Sequence, residues 1–152
     1  MNAPASPPPA AEIAALAEGL RPVVLRLSRN LRRQSQSLGL TPLDTTILGT
    51  LRKFDGAGVS ELADFEQMSR PTMSAHVKRL EAAGYITRLA PDAEDRRRVG
   101  LTLTPAGRKA LEAVRRRRND WLGQKLAALS PEARQALAAA IGPLGQLGGE
   151  RP

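Results

Sequence analysis

Between Ser60 and Gly107 the sequence sets two short helical patterns ahead of two short strand patterns, the strands joined by a polar loop that carries Asp95-Arg96-Arg97-Arg98. This order constrains the fold more than any other feature, because a two-stranded ribbon is marginal in water and must lean on the helices that precede it. The first helical stretch, Ser60 to Glu66, offers Leu62 and Phe65 to a core, and the Gln67-Met68 turn leads to Ser69, a hydroxyl suited to capping the next helix. In that helix Met73, Val77 and Leu80 fall within about 60° of one another at about 100° per residue. Gly84 provides a left-handed stop. Strands are expected at Tyr85–Leu89 and Val99–Leu103, the second alternating Val99, Leu101 and Leu103 with polar or small residues, with the loop Ala90–Arg97 between them.

The flanking sequence is helical. From Ile13 the apolar residues Leu16, Leu20, Val24, Leu27 and Leu31 step by three and four along one stripe, and Pro22 inside it is expected to kink the helix or mark its true start. Thr41-Pro42, a cap hydroxyl with proline at the first helical position, opens a helix through Leu43, Ile47, Leu48 and Leu51 that ends at Asp55-Gly56-Ala57-Gly58. Thr104-Pro105 repeats that start ahead of a long helix with Leu111, Val114, Trp121, Leu122, Leu126 and Leu129 on one seam. Ser130-Pro131-Glu132 opens a last helix through Leu137 and Ile141, closing at Gly142-Pro143. These outer stripes exceed what one small domain can cover, and burial against a second copy is the simplest solution. The expected organisation is a disordered tail over 1–10, an N-terminal dimerisation helix over 11–38, a helix-turn-helix with a β wing over 39–104, C-terminal dimerisation helices over 105–144 and a loose tail over 145–152.

Composition narrows the function classes. A formal net charge of +8 over 152 residues favours a polyanionic partner. With no cysteine, disulfides, thiol redox switching and thiolate metal sites are excluded, and with His76 alone a histidine-rich metal site is not expected, so no cofactor or metal is assigned. The leading segment, with Pro7-Pro8-Pro9, lacks the basic start and apolar run of a secretory signal. No apolar stretch approaches the ~20 residues needed to cross a membrane, and a cytoplasmic protein is expected.

On the helix after Ser69, the face opposite Met73, Val77 and Leu80 carries Pro71, Thr72, Ala75, Lys78 and Arg79, flanked by Arg70 and Ser74. Small and hydroxyl side chains near a helix N-terminus permit close approach to base edges, and the cations can reach phosphates. An ordinary solvated face would carry the same residues. Arg70 at a helix start is disfavoured by the macrodipole unless an anion sits there, which leans toward DNA. In the loop, Asp92, Glu94 and Asp95 balance Arg96, Arg97 and Arg98, either as a solvated set of paired charges or as arginines oriented for a narrow minor groove.

The runs Leu40-Thr41-Pro42-Leu43 with Ile47-Leu48, Ser69-Arg70-Pro71-Thr72-Met73-Ser74 through Val77-Lys78-Arg79-Leu80-Glu81, Gly84, Asp95-Arg96-Arg97 and Leu103-Thr104-Pro105-Ala106-Gly107 resemble the multiple antibiotic resistance regulator (MarR) family, over about Ala11 to Leu144. The resemblance implies a mainly α winged helix-turn-helix with a small two- or three-stranded β wing, flanked by dimerisation helices. It implies a homodimeric transcription factor, usually a repressor, on pseudo-palindromic double-stranded DNA, often answering to small aromatic acids or other anions. Arg97 would be the wing-tip residue in the minor groove, Asp95 its orienting partner, and Ser69, Thr72 and Ser74 match positions that touch DNA. The full candidate DNA set is Ser69, Arg70, Pro71, Thr72, Ser74, Ala75, Lys78, Arg79, Asp95, Arg96, Arg97 and Arg98. The chain departs from many relatives at Ala75, where they carry an arginine able to read guanine. It lacks the cysteine of the peroxide-sensing branch and the histidines of the zinc-sensing branch.

The ligand site is not assigned: Arg115-Arg116-Arg117-Arg118 can serve an anion, solvent or dimer salt bridges, and Trp121 a dimer seam or a ligand. The alternative function is a sequence-tolerant architectural DNA binder without an inducer. A protein-binding adaptor is a further reading, and an enzyme is not expected, for want of a phosphate loop, nucleophile or metal motif.

Overall fold

The computed structural model describes residues 9–90 and 99–148. The elements run α1 (Ala10–Gln36), α2 (Pro42–Lys53), α3 (Val59–Phe65), α4 (Arg70–Ala82), β1 (Ile86–Arg88), β2 (Leu101–Leu103), α5 (Pro105–Ala127) and α6 (Pro131–Gly148). The mainly α winged helix-turn-helix expected from the sequence is the fold observed.

The core lies where α2, α3, α4, the hairpin and the first half of α5 meet. Ile47, Leu48 and Leu51 of α2, Leu62 of α3, Met73, Val77 and Leu80 of α4, Ile86, Leu101 and Leu103 of the hairpin and Val114 of α5 are all buried. At about 1.5–3 kcal/mol for each large apolar side chain removed from water, this cluster is the main support of the unit. α2, α4 and α5 each start at a side-chain cap. The Thr41 hydroxyl accepts the Asp44 N–H at 3.1 Å while the Asp44 carboxylate accepts the Thr41 N–H at 2.8 Å, a reciprocal capping box. Thr104 caps α5 by accepting the Gly107 N–H at 3.0 Å. Gly84, at φ +75°, turns the chain from α4 into β1.

β1 and β2 pair antiparallel with Ile86 opposite Leu103 and Arg88 opposite Leu101. The hairpin gains a third partner from the turn after α2: the Gly56 N–H donates to the Leu101 carbonyl and the Leu101 N–H to the Ala57 carbonyl, both at 3.0 Å. Thr102 Oγ1 adds a 2.6 Å bond to Asp55. This is how so short a ribbon is held against the helices.

The structure corrects four expectations. Pro22 neither starts nor breaks α1, which is continuous from Ala10; the carbonyl one turn earlier, at Glu18, lies in an exposed stretch where water can take the bond that proline cannot. The last helix passes through Pro143 to Gly148 instead of stopping at Gly142, so residues 145–148 are helical and not loose. Ala10, placed in the tail, is helical. Phe65 is not a core residue: it is 49% exposed and stacks on Phe54, ring centroids 4.5 Å apart. None of the described residues forms a helix long and apolar enough to cross a membrane.

Candidate nucleic-acid interface

The exposed face of α4 follows from what its other face buries. Met73 and Val77 are fully buried and Leu80 nearly so, which turns Arg70, Pro71, Thr72, Ala75, Lys78 and Arg79 outward, with Ser69 exposed at the cap and Ser74 half-buried at the flank. Ser69 Oγ and Thr72 Oγ1 are 2.7 Å apart, and Ser69 accepts the Thr72 N–H at 3.3 Å, so both hydroxyls are ordered at the helix start. The helix is positioned at three points. Its entry is the turn at Gln67, whose φ of 52° and the 2.8 Å bond from the Met68 N–H to the Ala63 carbonyl bend the chain out of α3. Its far end is tied to the hairpin by Arg88, which donates to both Glu81 carboxylate oxygens at 2.8 and 2.9 Å.

The third point is beneath the helix. Asp44, on the first turn of α2, is fully buried, and its Oδ1 accepts from the guanidinium of Arg79. His76 Nδ1, buried and without a hydrogen-bond partner, lies 3.9 Å from the same oxygen. Burial pushes the Asp44 carboxyl up, but the Thr41 backbone N–H, the Thr41 side chain and the Arg79 guanidinium together hold it below the ordinary carboxylate value. Arg79, set among outward cations by the sequence, therefore has a partner in the protein. Asp44 and the Glu81–Arg88 pair escaped the sequence reading; the visible signal for Asp44 was an acidic residue three places after Thr41, the capping-box spacing.

The wing candidates Asp95, Arg96, Arg97 and Arg98 lie outside the described residues. The hairpin that carries their loop is described, and beyond β1 and β2 the Leu89 N–H still donates to the Gly100 carbonyl at 2.8 Å.

A second feature lies between α1, α2 and α5, where Val24, Leu27, Leu31, Leu43, Glu66 and both Arg32 and Arg118 border a cleft of about 740 Å³. Arg118 Nε donates to the Leu31 carbonyl at 3.2 Å. Burial, and then the charge of Arg32, pull the Arg118 guanidinium below its usual value. Among the described residues no carboxylate forms an ion pair with either arginine. No group of three or more His, Asp or Glu that could hold a metal occurs among them.

An apolar-backed, outward cationic helix behind a helix-turn, followed by a pinned hairpin, defines the winged helix-turn-helix DNA-binding regulators. Residues 38–98 match the model of the MarR family. Over 127 residues the chain is 32% identical to an HTH-type transcriptional regulator of Mycobacterium tuberculosis, covering 84% of this chain and 88% of that protein. A Pseudomonas aeruginosa protein with a crystal structure is 32% identical, with a TM-score of 0.79 over 94% of this chain and 100% of that one. A mutant of Staphylococcus aureus MepR, solved bound to an oligodeoxyribonucleotide, shares the fold at 24% identity and a TM-score of 0.68, covering 88% of this chain and 98% of that one. The chain belongs to the MarR family. It is a DNA-binding transcriptional regulator and not an enzyme.

Proposed function

We propose that this regulator is a homodimeric repressor that acts in the cytoplasm on pseudo-palindromic promoter DNA and is released by a small anionic ligand. The observation that carries the DNA reading is the outward face of α4, where ordered hydroxyls at Ser69 and Thr72 sit beside Arg70, Pro71, Ser74, Ala75 and Lys78 while the opposite face is locked in the core. These residues are proposed to meet the major groove, with Asp95, Arg96, Arg97 and Arg98 of the wing loop reaching the minor groove or backbone. A MarR-fold neighbour bound to an oligodeoxyribonucleotide supports the same assignment. Two such helices, one per protomer, would address half-sites about 34 Å apart.

Dimerisation through 11–38 and 105–144 is supported by apolar surface that nothing among the described residues covers. α6 buries no residue, and Ile13, Leu16, Ile141 and Leu147 are more than half exposed. Arg32 and Arg118, which have no carboxylate partner among the described residues, border the cleft beside Val24, Leu27, Leu31 and Leu43 and support a carboxylate-bearing ligand, because an anion there would relieve the repulsion between the guanidiniums. Such a ligand would act by preferring one spacing of the two α4 helices.

The test is competition binding of the purified chain to the intergenic DNA upstream of its own gene, with and without a panel of aromatic carboxylates. Site preference lost on adding one of the acids supports the full proposal. Equal binding to any duplex supports the architectural alternative, and no binding supports an adaptor.

A further inference from the structure

We propose that Arg79 serves DNA binding as a positioning residue, fastening α4 to α2 through the buried carboxylate of Asp44, and does not itself neutralise a phosphate. The inference rests on α4 being the DNA-facing helix. From sequence Arg79 stands beside Lys78 as one of two outward cations, but the structure separates them. Lys78 is exposed and enters no ion pair among the described residues. Arg79, with its side chain 48% exposed, places Nη2 of its guanidinium on a carboxylate that has no solvent exposure.

Asp44 has two carboxylate oxygens and two obligations. Oδ2 closes the capping box with the Thr41 N–H at 2.8 Å, and Oδ1 takes Arg79. His76 Nδ1, 3.9 Å away, is too distant for a hydrogen bond. If Arg79 swung out to a phosphate, the buried charge would lose its cationic partner. Leaving a buried carboxylate unpaired costs more than one solvent-exposed phosphate contact returns. The pair also has leverage. Arg79 lies on the third turn of α4 and Asp44 on the first turn of α2, so together they fix how α4 rolls on the core made by Met73, Val77 and Leu80. Roll decides how Thr72 and Ala75 face a groove, and base contacts depend on it more sharply than a phosphate contact such as that proposed for Lys78 does.

The experiment measures affinity for the upstream intergenic duplex and for random duplex of equal length, across a salt series, with Lys78→Ala, Arg79→Ala, Arg79→Lys and Asp44→Asn in the full chain. Lys78→Ala should weaken both DNAs alike and lower the salt slope by about one. Arg79→Ala and Asp44→Asn should each cut the preference for the specific duplex by about tenfold or more, with random-duplex affinity and slope unchanged; a double variant combining Arg79→Ala with Asp44→Asn should be no worse than Asp44→Asn alone. Arg79→Lys, which keeps the charge and loses the planar fork, should also lose preference. The proposal is overturned if Arg79→Ala lowers the slope as Lys78→Ala does, or if Arg79→Lys and Asp44→Asn match the parent. Should Arg79→Ala fail to fold, Arg79→Lys and Asp44→Asn decide alone. Should the parent show no preference, the DNA reading fails first, and amide hydrogen exchange then judges the tether: α4 must exchange faster in Asp44→Asn while α5 does not, and unchanged α4 exchange overturns it.

Discussion

Gly107 on the first turn of α5 lies directly against the backbone carbonyl of Tyr85, which also accepts the Thr104 N–H at 3.1 Å. Thr104 Oγ1 donates to the Gly84 carbonyl at 2.6 Å and accepts the Gly107 N–H. The end of α4, the return of the wing and the start of the long helix are thus joined within a few backbone atoms. This gives Leu103-Thr104-Pro105-Ala106-Gly107 a physical meaning: a cap, a helix-ready proline and a glycine whose missing side chain lets two backbones touch.

A methyl group at position 107 would sit 2.9 Å from the Tyr85 carbonyl carbon and closer still to its oxygen. Gly107→Ala should therefore lose about 2–4 kcal/mol of stability, or fail to fold, through forced backbone shifts. Ala106→Ser, at an exposed neighbour, should stay within about 0.5 kcal/mol. Chemical denaturation of both variants checks this, and a parent-like Gly107→Ala would refute the close approach.

Asp44 makes stability depend on acid. Its folded-state carboxyl lies below the ordinary value, so its contribution is present above the unfolded value of about 3.9 and is lost as pH falls through the lower folded value. Denaturant midpoints should therefore drop below about pH 4. Asp44→Asn should be less stable than the parent at neutral pH, by about 1–3 kcal/mol for the buried pair it breaks, and the gap should narrow in acid. A gap that is constant with pH would remove Asp44 from the account.

The exposed apolar residues of α1 and α6 supply a test of assembly. Leu16→Glu with Ile141→Glu changes positions that are both 70% exposed in one chain, so the fold of the single protomer should be little affected. Light scattering should report the parent as a dimer and the double variant as a monomer at micromolar concentration. An unchanged dimer would place the interface elsewhere.

The cleft beside Arg118 predicts ligand-dependent stabilisation. A binding aromatic carboxylate at about a hundred times its Kd should add about 2.7 kcal/mol, read as a rise in Tm. Arg118→Met keeps the apolar stem, removes the charge and should abolish that rise while leaving DNA affinity without ligand near the parent's. An equal rise in both proteins would exclude Arg118 from the ligand site.

The helix starts and most of the core were legible because local rules dominate there. Thr41-Pro42, Ser69 and Thr104-Pro105 cap helices in the structure, and Ile47, Leu51, Leu62, Met73, Val77, Leu80 and Leu101 are buried as their spacing requires. What was not legible depends on neighbours distant in sequence. Phe65 has the size of a core residue, but its ring finds Phe54 at the surface. Pro143 reads as a stop, yet α6 passes through it to Gly148. The face of α4 was visible in the periodicity. That Arg79 belongs to Asp44, 35 residues earlier, was not, because helical spacing relates residues three or four apart and not positions on two separate helices.

Whether α4 and the wing grip DNA is read from the salt dependence of binding to the upstream intergenic duplex under excess random duplex, comparing the parent with Lys78→Ala and Arg97→Ala. The parent should form a discrete complex that retains a preference of about a thousandfold or more, and the salt slope should be lower by about one in each variant. Binding equal on both DNAs, or slopes identical in all three proteins, would contradict that grip.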